Sequence, residues 1–173
     1  MDEQNQETHL NPSSNRKGYI ILLNIFLALI VASQIRVWQA GPYSGYVFMQ
    51  TFMGFWFLVF GFFKALNWKV FAMAYGDYDL IARRSKIYAY AYPAIELSLG
   101  AVFLLNYQPI AVNSTALALM AVSAVGIAKN LLLKNQIPCL CLGAIIKLPL
   151  SKISLVEDIV MGIMAFATLM RLT

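Results

Sequence analysis

The sequence predicts an all-α membrane protein with five spans. Three observations carry this. Of 173 residues, 60% are hydrophobic and only 12% charged, whereas soluble domains carry roughly 25% charged residues. The apolar residues gather in runs long enough to cross a bilayer core, which takes about 20 helical residues. The runs also lack the period-two alternation that a closed membrane β-barrel requires.

Taken in order, residues 1–18 read as a polar, solvated tail, with Asp2, Glu3, Glu7 and the single histidine, His9, ahead of Arg16 and Lys17. The tail lacks the short basic start and shorter apolar core of a secretory signal. The rest, 19–173, reads as one transmembrane helical domain. Its first span is placed at 19–38, where Ile20 to Ala32 contains one polar residue, Asn24. Gly41-Pro42-Tyr43-Ser44-Gly45 then turns the chain. The second span, 46–66, carries Gly54 and Gly61 seven residues apart, hence nearly on one helical face, where a neighbouring helix can approach closely.

The stretch 67–86 mixes Trp68, Val70, Phe71 and Met73 with Lys69, Asp77, Asp79, Arg83 and Arg84, the pattern of an interfacial amphipathic segment. The third span, 87–106, holds Pro93 and Glu96. The fourth, 110–133, is rich in small residues suited to close helix packing. The fifth, 155–172, corresponds to about 27 Å of helix at about 1.5 Å per residue.

Basic residues set the expected topology. Arg16 and Lys17 precede the first span, five more lie from Lys64 to Lys86, and Lys129, Lys134, Lys147 and Lys152 flank the link after the fourth. The alternate breaks, near Pro42 and Gln108, carry none. The positive-inside rule then places the amino terminus and the 134–153 link in the cytoplasm and the carboxyl terminus outside. Membrane topology thus accounts for the net charge of +5, and no nucleic-acid partner is expected.

The link holds both cysteines of the chain, in Ile137-Pro138-Cys139-Leu140-Cys141-Leu142-Gly143. Two thiolates this close can share a soft metal such as Cu(I). They can also form a redox pair, since a disulfide across one residue closes a small, labile ring. Lys134 and Lys147 would favour the thiolate. The plain alternative is two small apolar side chains among Leu140, Leu142, Ile145 and Ile146. Cytoplasmic thiols are normally reduced, which argues against a permanent disulfide.

Glu96 is the sharpest intramembrane signal, because an ionisable residue within a span is a functional hypothesis by default. Tyr88, Tyr92 and Glu96 recur at four-residue intervals on one face. Glu96 could form an ion pair with Lys64 at the end of the second span; the alternative is a proton- or ligand-handling role. Glu157 and Asp158 read differently: Ser154-Leu155-Val156-Glu157 has the form of a capping box at the start of the fifth span. Asn113-Ser114-Thr115 matches the glycosylation pattern but lies at a helix start. No HExxH, phosphate loop, dinucleotide fingerprint or nucleophile elbow is present.

The segment Gly54-Phe55-Trp56-Phe57-Leu58-Val59-Phe60-Gly61-Phe62-Phe63-Lys64 resembles the opening helix of the DoxX and MauE group of small membrane proteins. Tyr92-Pro93-Ala94-Ile95-Glu96-Leu97-Ser98-Leu99-Gly100 resembles its second helix. Cys139-Leu140-Cys141-Leu142-Gly143 with Leu155-Val156-Glu157-Asp158 resembles the cysteine loop and last helix of the MauE branch. The resemblance implies a four-helix transmembrane bundle, with 19–38 as an added amino-terminal helix. It also implies an association with thiol-redox processes and the maturation of partner proteins, as MauE is associated with the disulfide-rich small subunit of methylamine dehydrogenase.

Three readings follow. In the first, Cys139 and Cys141 exchange thiols and disulfides with a partner protein, while Glu96 and Lys64 shape the bundle interior. In the second, the cysteines take Cu(I) or another soft metal, with Met49, Met53, Met73 and Met120 as possible thioether ligands. In the third, the chain is a non-catalytic accessory subunit that packs through the aromatic face of its second span.

Overall fold

The computed structural model describes residues 12–41, 44–79, 81–132 and 151–172. Six helices and no strands occur among them: α1 Pro12–Gln39, α2 Gly45–Leu66, α3 Trp68–Tyr78, α4 Lys86–Leu104, α5 Pro109–Leu132 and α6 Ser151–Leu172. Among the described residues four stretches are long and apolar enough to cross a membrane, Gly18–Gln39, Gly45–Leu66, Lys86–Leu104 and Pro109–Leu132; the expected fifth span, 155–172, is not among them. The chain is an all-α membrane protein.

The expected boundaries shift in two instructive places. α1 begins at Pro12, inside the stretch read as a tail. Proline suits a first helical turn, where its missing N–H is not needed. α6 begins at Ser151, one turn ahead of the predicted fifth span. Ser154 and Glu157 therefore lie within the helix and do not cap it, which removes the capping-box reading.

α2, α4, α5 and α6 form a closed four-helix ring, in which α2 packs on α4 and α6, and α5 on α6 and α4. α1 leans on α2, and α3 lies mainly against α4. Directions follow from the contacts. Gly54 faces Leu104 and Phe103, and Gly61 faces Glu96 and Leu97, so α2 and α4 are antiparallel. Gly162 faces Leu117 and Met120, and Asp158 faces Ser123, so α5 and α6 are antiparallel as well. The carboxyl end of α5 and the amino end of α6 thus lie at one end of the bundle, beside the end of α2 and the start of α4. We term this the link end.

Glycine fixes the α2–α4 spacing. A Cβ at Gly100 would stand 2.8 Å from the Gly54 carbonyl oxygen and 2.9 Å from the Leu58 backbone nitrogen. In lipid the gain from such an approach is van der Waals contact, because tails are as apolar as side chains. The aromatic face of α2 is occupied within the chain. Phe52, Trp56, Phe57 and Phe60 are buried. Phe26 of α1 stands edge-on to Phe52 and Trp56 at 5.7 and 5.8 Å, and Phe103 of α4 stacks on Phe57 at 5.8 Å. These rings are therefore not open to another subunit, while Phe62 of the same helix stays exposed.

The turn from α4 to α5 uses left-handed backbone at Asn106 (φ 50°) and Gln108 (φ 45°). Polar groups at this opposite end bond to one another, although the buried Asn113 Oδ1 has no hydrogen-bond partner among the described residues. Tyr46 donates to Asn106 at 2.7 Å, Gln50 donates to Tyr46 at 3.1 Å, and Asn113 donates to Gln50 at 3.2 Å. Asn113 is 0% exposed, so its glycosylation pattern is coincidental.

Candidate functional site

The candidate site is built where α2 and α4 touch most closely on the link side. Gly61 lets the helices meet, since a Cβ there would stand 3.2 Å from the Glu96 Cβ. Lys64, one turn further along α2, then reaches the carboxylate: its Nζ donates to Glu96 Oε1 at 2.5 Å. The Lys64 side chain is 14% exposed and that of Glu96 4%. The expected intramembrane pair is thus formed. A buried pair of this kind holds only because each ion answers the other's lost hydration.

Aromatic rings complete the seat of the ammonium. Lys64 Nζ lies 5.2 Å from the Tyr92 ring centroid and 5.6 Å from that of Phe71, a cation–π arrangement favoured where water is excluded. Phe71 and Tyr75 come from α3, whose buried side packs them on Tyr92, with Tyr75 and Tyr92 centroids 4.4 Å apart. α3 is therefore amphipathic as expected, with Trp68, Val70 and Met73 left exposed. The Trp68 indole N–H donates to the Tyr90 carbonyl oxygen, close to Pro93 inside α4. Proline breaks the local backbone ladder, and polar neighbours commonly compensate in membrane helices.

Asp79 ends α3. It is 0% exposed yet fully engaged: Oδ1 accepts from the Ile81 and Ala82 backbone N–H groups, each at 2.9 Å, and Oδ2 accepts from the Tyr75 hydroxyl at 3.0 Å. Its role is to fold the chain back towards α4. The adjacent tyrosine Tyr88 stacks obliquely on Tyr75, so the predicted tyrosine face is real but also serves α3.

The acid pair of α6 is where reading the sequence went wrong. Glu157 Oε1 accepts from the Trp56 indole N–H on α2 at 2.8 Å. Asp158 points inward, where Ser123 of α5 presents its hydroxyl and Lys64, Glu96 and Asp79 all act on it electrostatically. Its Oδ2, like Glu96 Oε2, is buried and accepts no hydrogen bond among the described residues. The signal that could have found these acids was their place in an apolar run, the same signal that singled out Glu96; the Ser-x-x-Glu pattern masked it.

Trp56→Phe keeps the ring packing and removes the donor to Glu157. It is expected to lower stability by about 1.5–3 kcal/mol, the range for hydrogen bonds to charged groups, read as a shift in denaturant midpoint in detergent. A loss below the error of that measurement would show the bond to be inert.

Cys139 and Cys141 lie outside the described residues, as do Lys134 and Lys147. The structure therefore brings Lys64 and Glu96 together, and Asp158 interacts electrostatically with both. Among the described residues no group of three or more His, Cys, Asp or Glu side chains is arranged to hold a metal. No curated protein and no solved structure matches the chain. The model of one protein family, described as methylamine utilisation protein MauE, matches residues 42–171.

Proposed function

The chain belongs to the MauE family of membrane proteins, and on that premise we propose that it works in thiol-redox traffic through Cys139 and Cys141. One observation carries the reading. The only two cysteines stand in the single connection between α5 and α6, and antiparallel packing anchors both ends of that connection beside the Lys64–Glu96 cluster.

The proposed step is exchange. A thiolate of the Cys139–Cys141 dithiol attacks the disulfide of a partner protein, a mixed disulfide forms, and the second thiolate of the pair displaces it. The partner leaves reduced by two electrons and the Cys139–Cys141 pair is left as the disulfide, with its two protons passing to the partner. The rate of such exchange follows thiolate character and access.

Five spans complete the proposed architecture, with α6 as the fifth, since it matches α2 in length at 22 residues and lies along α5. Eleven of the 13 Lys and Arg residues then fall on the link side, and Arg36 and Arg171 on the other. The positive-inside rule makes the link side cytoplasmic, in what the MauE resemblance suggests is a prokaryotic inner membrane. The cysteines then meet a cytoplasmic thiol-redox partner.

Membrane-impermeant maleimide applied to cells tests side and state together. The expected result is labelling of Cys139 and Cys141 only after the membrane is opened, abolished by a mild thiol oxidant and restored by reductant. Labelling from outside would overturn the orientation. Labelling indifferent to oxidant, together with loss of Cu(I) binding in the Cys139→Ser, Cys141→Ser variant, would replace exchange with soft-metal capture.

A further inference from the structure

The bundle interior holds more acid than base, and one oxygen of an acid on α6 is left without a hydrogen-bond partner among the described residues. The groups that act on Asp158 come from the elements around it: Lys64 on α2, Asp79 at the end of α3, Tyr92 and Glu96 on α4 and Ser123 on α5. Lys64 is paired with Glu96 at 2.5 Å. Asp79 has both oxygens engaged by three donors. Glu157 accepts from Trp56. Asp158 Oδ2 is buried and accepts no hydrogen bond among the described residues. Ser123 supplies one hydrogen bond to Asp158, and the cation acting on it, Lys64, is already paired with Glu96, so an ionised carboxylate there is under-compensated for its lost hydration, which is unfavourable inside a membrane. A protonated carboxyl carries no charge and needs only a neighbouring acceptor.

We propose that Asp158 carries a proton in the resting protein and forms, with the Lys64–Glu96 pair, an intramembrane proton-binding site. Glu96 Oε2, the other buried carboxylate oxygen without a partner, is the second seat. The transfer is balanced: the Asp158 O–H bond breaks, a Glu96 O–H bond forms, and Lys64 keeps one carboxylate as its counter-ion throughout. The two carboxyls therefore titrate as a pair, with the proton belonging to both. The site uses neither cysteine, so Cys139→Ser, Cys141→Ser leaves it unchanged, and failure of the thiol reading would not touch it.

Infrared spectra of the full chain in lipid vesicles at neutral pH test this through the C=O stretch of protonated carboxyls, which lies apart from carboxylate and amide absorption and shifts in heavy water. The wild-type protein is expected to show such a band, and Asp158→Asn to lose it. Glu96→Gln deprives Lys64 of its anion, so Asp158 ionises to replace it and the band falls several-fold while helix content is retained. Asp158→Glu covers the case in which the asparagine variant does not fold: the band then moves in frequency but persists. A spectrum unchanged by Asp158→Asn or Asp158→Glu, or a band of undiminished size in Glu96→Gln, overturns the proposal.

Discussion

Lys64→Met is expected to destabilise the bundle by about 3–5 kcal/mol, the range for removing one partner of a buried ion pair. The ammonium sits between a carboxylate at 2.5 Å and two aromatic faces. Methionine keeps much of the length and the contact with Phe71 and Tyr92 but none of the charge. Glu96 is then left buried with neither oxygen answered by Lys64. The double substitution Lys64→Met, Glu96→Leu removes both ions and is expected to recover most of the loss, because a well-packed apolar pair of similar volume is often as stable as the ions it replaces. Denaturant titration of both variants, in detergent, checks the pair of results. If the double variant proves less stable than the single one, the interaction is not the balance of charge and desolvation described above.

The second large effect is expected at Gly100. Gly100→Ala places a methyl carbon at 2.8 Å from the Gly54 carbonyl oxygen, 2.9 Å from the Leu58 backbone nitrogen and 2.8 Å from the Leu58 Cγ. Two of the three obstacles are backbone, which cannot rotate aside, so α2 and α4 must separate. The loss should reach the upper end of the about 1–3 kcal/mol typical of overpacking, with a lower melting temperature in detergent. Gly162→Ala is the control, since a Cβ there meets nothing nearer than 3.8 Å, and it should melt as the parent does. Equal losses at both positions would show that close helix spacing at Gly100 is not the cause, since helix propensity favours alanine at either site.

The helices were legible because a membrane leaves few options: an apolar run near 20 residues with polar ends has to be helical. Lys64 and Glu96 were legible for a related reason, since two opposite charges in apolar runs have only each other to answer them. Gly54 and Gly61 announced a close contact by their spacing, but Gly100, which makes the tightest approach, sat in the motif unremarked because nothing in one helix names its counterpart in another. Asp158 was misread because a local pattern, Ser154 to Glu157, offered a sufficient local explanation. Capping depends on where the helix starts, and the first turn from Ser151 carries too little apolar signal to show it. The aromatic residues of α2 were legible as a face but not as a face already filled, for α1 supplies Phe26 from a segment ahead of the region matched to the family.

The uneven distribution of polar groups along the bundle axis has an electrical meaning. The interior charges occupy the link half, while the opposite half is served by the uncharged chain from Asn113 through Gln50 and Tyr46 to Asn106. Asp158 is seven residues into α6, about 10 Å along a helix of about 33 Å at about 1.5 Å per residue. A charge that reaches it from the link side crosses only the smaller part of the transmembrane voltage, whose full drop corresponds to about 2.3 kcal/mol per elementary charge at 100 mV. A charge arriving from the other side would cross most of it, through a stretch with no buried ion among the described residues. On the proposed five-span architecture the buried groups are therefore expected to respond to the composition of the compartment at the link end and only weakly to the membrane potential.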